Sequence, residues 1–151
     1  MAVLVCVAGA CSGGGAERDE SGRIVSGGEV DVFELQEGDC IVFEDIESSV
    51  EALAAVPCDE PHEGEVFALV DIDDIEVYPG ERELSNRAEV ECVSRFADYV
   101  GVDLVDSTLF YTYLTPSIRG WQDEDEPDRT VVCFVLSAGG PIEVSARDSG
   151  L

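Results

Sequence analysis

The chain has 151 residues, enough for one domain with a leader and a linker, and 45% of them are hydrophobic, enough for a modest core. Acidic residues number 34 against 8 basic ones, all of them arginine, for a formal charge of -26. A field of that sign repels phosphate backbones and anionic headgroups, which argues against nucleic acid as a partner and against electrostatic docking on lipid. The acids are spread along the chain rather than gathered in a tail. A surface suited to high salt and a codon bias toward Asp, Glu and Arg explain that spread equally well.

Residues 1–10 read as a signal-peptide-like leader. The apolar run from Ala2 to Ala10 is too short to span a bilayer but suits a signal-peptide core. Ala8-Gly9-Ala10 offers a small-residue cleavage site directly before Cys11. The arrangement looks like a lipobox, in which Cys11 becomes the lipidated N-terminus. Two features depart from it: Ala8 stands where leucine is usual, and basic residues are missing from the leader. Simple secretion and an unprocessed cytosolic chain are the alternatives. Residues 11–29, opening Cys11-Ser12-Gly13-Gly14-Gly15, read as a flexible tether.

The domain is expected over residues 30–151. Val30 to Leu35 alternates imperfectly and predicts a first strand; Cys40 to Phe43 is a second short apolar run. Val50 to Val56 fits either a strand or a helical turn, with Pro57 favouring an extended exit. Glu65 to Ile72 predicts a buried strand. Ser85 to Val100 predicts the main helix, with Ser85 as N-cap and Gly101 as stop. Its apolar stripe is Ala88, Cys92, Phe96 and Tyr99, widened by Val93, Ala97 and Val100, so Cys92 faces inward. Thr108 to Leu114 and Thr130 to Leu136 predict two further strands, the second apolar on both faces. The expected class is α+β: a small disulfide-stabilised domain, mainly antiparallel sheet with one principal helix.

Four cysteines lie in the domain: Cys40, Cys58, Cys92 and Cys133. They are well separated and lack a Cys-x-x-Cys pair, which speaks against a zinc or redox motif. In an exported chain they read as two disulfides, with three possible connectivities. Gly38-Asp39-Cys40, followed by Val56-Pro57-Cys58-Asp59-Glu60-Pro61-His62-Glu63-Gly64-Glu65-Val66 and then two more cysteines, resembles the septum-formation domain family of actinobacterial envelope proteins. Further along, Pro116, Trp121, Arg129 and Cys133 follow the family's closing pattern, with an acidic insertion in the loop and Pro127-Asp128 in place of its glycine. Ser145 to Leu151 looks like a worn form of its Gly-Ser ending. The resemblance supports local pairing, Cys40 with Cys58 across a short segment and Cys92 with Cys133. The second bridge would pin helix to strand, and in the chain-entropy model each contributes roughly 3–4 kcal/mol.

His62 is the only histidine and the first candidate for chemistry. With Glu63 and Glu65 it could act as a general acid or base, or hold a divalent ion. Alternatively Pro61-His62 is a rigid turn whose imidazole bonds to the backbone. One histidine cannot build a histidine-rich zinc site, and no activated nucleophile stands nearby: Ser48 and Ser49 are isolated and Cys58 is expected to be oxidised. The structural reading is preferred, so no catalytic residue, metal or cofactor is expected. The acid runs Asp71 to Asp74 and Asp123 to Asp128 lack the pattern of an EF-hand loop and read as solvated faces. Trp121 and Arg129 could stack, or Arg129 could bridge to Glu65; either makes them structural. An exposed Trp121 would instead bind a partner.

The resemblance implies an envelope location and no particular reaction; with the leader, the chain is expected to be an exported domain, lipid-anchored on the outer face of the cytoplasmic membrane, acting without catalysis as an interaction module for an envelope or division protein. The rivals are a hydrolase or metal-dependent enzyme centred on His62 and Glu65, and an extracellular ligand-binding or sensory lipoprotein.

Overall fold

A computed structural model describes residues 14–43 and 51–151. The leader, Cys6, Cys11, the first part of the tether, Ser48 and Ser49 lie outside the described residues. Two short strands, β1 (Glu17–Arg18) and β2 (Ile24–Ser26), pair as an antiparallel ribbon. β3 (Gly28–Asp31), β4 (Cys40–Val42), β5 (Ala52–Val56), β6 (Gly64–Asp71), β7 (Leu109–Leu114) and β8 (Thr130–Ser137) form a six-stranded antiparallel sheet. Its order is β3-β5-β4-β6-β8-β7. The principal helix α1 (Glu81–Val100) packs on β6, β7 and β8, and a single turn, α2 (Ile118–Trp121), precedes β8. The class is α+β, as expected.

The buried strands form where β-branched residues run together. β6 and β8 are the longest strands and are buried over most of their length. Alternate residues serve opposite faces. Val131, Cys133 and Val135 join the cluster under α1, while Val132 and Phe134 join a second cluster on the other face. Helix α1 begins one turn earlier than the sequence suggests. Leu84, 1% exposed, extends the buried stripe through Ala88, Cys92, Phe96, Tyr99 and Val100. Ser85 is inside the helix and is not its cap; the Gly80 carbonyl receives the Glu83 and Leu84 N–H groups. Glu81 and Glu83 complement the positive end of the helix dipole. Val93 points outward rather than widening the stripe. Gly101 closes the helix in the left-handed conformation, φ 89°.

Two segments depart from expectation. Residues 17–26 were assigned to a tether, yet they fold back as the β1–β2 ribbon and bury Ile24 in the second cluster. The Arg18 guanidinium fixes the ribbon by a two-pronged bond to the nearly buried Asp39, at 2.6 and 2.7 Å. The strand expected over Val30 to Leu35 stops at Asp31, whose carboxylate accepts the Phe33 N–H and turns the chain into a 3-10 turn, Val32–Glu34. Val50 to Val56, ambiguous in sequence, is strand from Ala52 to Val56.

Candidate functional site

The Gly38-Asp39-Cys40 entry leads into β4, and Pro57 ends β5 beside it. Gly38 holds φ 97°, a conformation that suits glycine, and its N–H bonds to the Val66 carbonyl. Asp39 then receives Arg18 and the Gln36 N–H. Cys40 on β4 and Cys58 after β5 are joined, with Cα atoms 5.3 Å apart; Cys92 on α1 and Cys133 on β8 are joined at 5.7 Å. The pairing is the one the resemblance supports. The Glu60 N–H bonds to the Pro57 carbonyl, making the turn that carries Pro61 and His62.

His62 is wholly buried and exchanges both backbone hydrogen bonds with Ile142. Its Nδ1 lies 2.8 Å from the Glu60 carbonyl, which can only accept, so Nδ1 is the donor there and Nε2 is the other ring nitrogen. Among the described residues, Nε2 is buried without a hydrogen-bond partner. Glu65 is also wholly buried, directly across the sheet from Cys40. Its Oε1 accepts the Tyr99 hydroxyl at 2.5 Å and the Ser145 hydroxyl at 2.7 Å; its Oε2 accepts the Ala146 N–H at 2.5 Å. One carboxylate thus ties β6 to α1 and to the C-terminal segment. Burial first, and the Glu65 charge and hydrogen bond next, push the Tyr99 hydroxyl well above tyrosine's usual value, so it remains a donor. Gly64, between them in sequence, lies under the Phe43 ring, and any side chain there would collide with it.

Among the described residues, Cys40, His62 and Glu65 bring ligand-type atoms within 4.8 Å of one another. The motif residues therefore converge, while Trp121 and Arg129 form a separate unit. The Arg129 guanidinium stacks 3.9 Å from the Trp121 ring centre and donates to the Ile75 and Glu76 carbonyls. Trp121 is buried and donates to the Glu76 carbonyl. The expected stack is present; the alternative bridge from Arg129 to Glu65 is not, and Trp121 is not an exposed anchor. Position explains this, since the Glu65 carboxylate is held by Tyr99, Ser145 and Ala146, away from the Trp121 unit. Those three were not singled out by sequence. A tyrosine on a buried helix stripe and a glutamate opening a buried strand both demand polar partners, and that demand was the available signal.

The acid runs build turns. Asp123 accepts the Asp125 and Glu126 N–H groups, which hold its carboxyl below the usual range. Asp71 accepts the Thr130 hydroxyl and Asp74 pairs with Arg87. An open cleft of about 200 Å³ lies outside Tyr99, lined in part by Arg95 and Arg147. Those cations are already engaged, by Glu91 and Glu37 respectively.

The family profile described as Septum formation matches residues 4–142. The chain belongs to the septum formation family. The match takes in the motif, both disulfides and the whole six-stranded sheet, and ends at Ile142, the backbone partner of His62. No curated protein and no solved structure matches the chain. Membership ties it to the process for which the family is named. Its two disulfides fit an oxidising, extracytoplasmic compartment. No helix among the described residues is long and apolar enough to cross a membrane.

Proposed function

We propose that this septum formation protein works by binding, as a domain lipid-anchored through Cys11 on the outer face of the cytoplasmic membrane, and that its partner is an envelope or division protein. One observation carries the reading: Cys40, His62 and Glu65, the motif residues suited to chemistry, are all wholly buried and face the interior of the fold. What faces outward is acid and the end strand of the sheet. Among the described residues β7 has no strand beyond it, and its sequence Leu-Phe-Tyr-Thr-Tyr-Leu contains neither charge nor proline. Such an edge presents free backbone groups. Phe110 on it is 43% exposed. An extended, basic segment of the partner suits this edge: strand addition supplies main-chain bonds, and a chain of charge -26 draws a cationic segment toward it.

Two variants test the reading in cells that need the protein, with septum frequency scored beside the melting temperature of the purified chain. Phe110→Asp should keep its melting temperature and lose septum function. His62→Ala should lose about 1–3 kcal/mol of stability, through the lost ring and its bond to Glu60, and function should fall only with protein level. A His62→Ala protein that stays stable and abundant yet inactive would replace binding by catalysis at His62 and Glu65. Intact mass of the membrane-derived protein tests the anchor: a diacylglycerol-sized addition on a chain beginning at Cys11 is expected, and an unmodified Met1 would remove it.

A further inference from the structure

The geometry points to a redox-gated metal site, in which reduction of Cys40–Cys58 creates a four-ligand centre for Zn²⁺ or a similar divalent thiophilic ion. Three independent facts converge on it. Among the described residues, His62 Nε2 is buried without a hydrogen-bond partner, an unusual state for a polar atom in a folded core. Ligand-type atoms of Cys40, His62 and Glu65 already lie within 4.8 Å of one another. The other half of the disulfide, Cys58, holds a second sulfur bonded to that of Cys40; it lies outside this group in the oxidised chain and turns in only once the bond opens.

The coordination arithmetic fits. A structural zinc site takes four ligands, with thiolate, imidazole and carboxylate all suitable. Two thiolates and one imidazole supply three. Glu65 can supply the fourth: of its roughly four lone-pair sites, Oε1 uses two, for Tyr99 and Ser145, and Oε2 uses one, for the Ala146 N–H. One site on Oε2 remains. The supporting contacts are those that metal ligands require. The Nδ1 donation to the Glu60 carbonyl fixes the tautomer that leaves Nε2 free, and three donors hold the Glu65 carboxylate in place.

The disulfide keeps this centre shut, because bonded sulfurs are not thiolates. Opening it needs a dithiol reductant of the thioredoxin class. That dithiol gives two electrons and two protons to the Cys40–Cys58 bond and becomes a disulfide itself, leaving two thiols. Metal binding then displaces the two thiol protons to solvent. Cys58 is partly exposed while Cys92 and Cys133 are wholly buried, so the reductant reaches the motif bridge first.

The test uses the full chain with Cys6→Ser and Cys11→Ser, so that only domain thiols report. Cobalt(II) serves as the probe and zinc as its competitor. After mild reduction, one cobalt per chain should bind with thiolate-to-cobalt charge-transfer absorption, and zinc should displace it. Before reduction no such absorption should develop. Loss of an outer-shell partner alone weakens metal sites by about 10–100-fold, so His62→Ala should weaken binding by roughly 100-fold or more. A chain also carrying Cys92→Ala and Cys133→Ala should bind as well as the parent, and circular dichroism shows whether each form is folded. The proposal is overturned if the reduced chain binds no cobalt, if His62→Ala binds equally well, or if a chain unfolded by reduction is not refolded by the metal.

Discussion

The two faces of the sheet are held by different means. On one face a single 20-residue helix covers β6, β8 and β7. Cys92–Cys133 bolts that helix to the strand beneath it, and Glu65 reaches from β6 to Tyr99 and the C-terminal segment. Cys40 points to this side too, since its neighbour Ile41 packs into the opposite cluster. The other face is covered by the β1–β2 ribbon and the 3-10 turn, around Ile24, Val30, Leu35, Val66 and Phe134. Among the described residues it has no covalent bridge of its own; its ribbon is fixed by Arg18 on Asp39. Both cross-links, with Glu65, thus serve one face, and the opposite cover is held by packing and one ion pair, which the motif's Asp39 receives. Local opening should start at the ribbon.

The largest effect expected is at Glu65. Glu65→Ala leaves the Tyr99 hydroxyl, the Ser145 hydroxyl and the Ala146 N–H without their acceptor. Bonds to a charged group contribute about 1.5–3 kcal/mol each, but they are not additive and removing Glu65 also removes the cost of burying its carboxylate, so a net loss of about 3–5 kcal/mol is expected in urea unfolding. A loss below about 1 kcal/mol would mean that the C-terminal segment is not held by this carboxylate. The disulfides come next. Cys92–Cys133 closes a separation of 41 residues and Cys40–Cys58 one of 18. The chain-entropy model gives about 4 and about 3 kcal/mol respectively. Paired alanine variants should follow that order; the reverse order would show that the motif turn contributes more than loop length predicts.

Arg18→Ala addresses the other face. It strips the nearly buried Asp39 of its cation and should destabilise by about 2–3 kcal/mol, because a charge left without its partner is the expensive case. Hydrogen exchange should show where. Amides of β1 and β2 should lose protection while those of α1 keep theirs; equal losses in both would unite the two faces into one cooperative unit.

Much of the helix face was legible in the sequence, because its signals are local. The β-branched runs of β6 and β8 were placed to within a residue or two, and the α1 stripe from Ala88 to Tyr99 was correct. The helix start was missed: Glu81-Arg82-Glu83 carries no apolar signal, and Gly80 caps with its backbone, leaving Ser85 as a false side-chain cap. The ribbon was read as tether for a comparable reason. It buries one residue fully, Ile24, and leaves its neighbour Val25 54% exposed. Its place depends on Asp39, 21 residues beyond Arg18. The motif named His62 and Glu65, but the partners of Glu65 lie 34, 80 and 81 residues away, and only the folded chain brings them in. The Arg129–Trp121 stack was foreseeable because a lone tryptophan beside an arginine has few other ways to be buried.

The smallest effect tests whether the strong face carries a weakness of its own. Asp128 lies in the loop that seats Trp121, and its carboxylate accepts the Thr130 N–H at 3.1 Å. Burial raises its carboxyl above the ordinary 3.8, and that hydrogen bond only partly opposes the rise. The sign follows from linkage. A raised folded value means the native state holds the proton more tightly than the unfolded chain. The resulting stability is fully present below about 3.8 and is lost as pH rises through the higher folded value, so at neutral pH the charged form is a burden. Asp128→Asn keeps an oxygen for Thr130 and removes the charge. It should stabilise by a few tenths of a kcal/mol at pH 7, with the gain vanishing at low pH. Melting curves of both chains across that range decide it. A gain that persists in acid would come from packing rather than charge. A loss at pH 7 would mean that Thr130 needs the full carboxylate, and that the helix face uses its buried charge here as it does at Glu65.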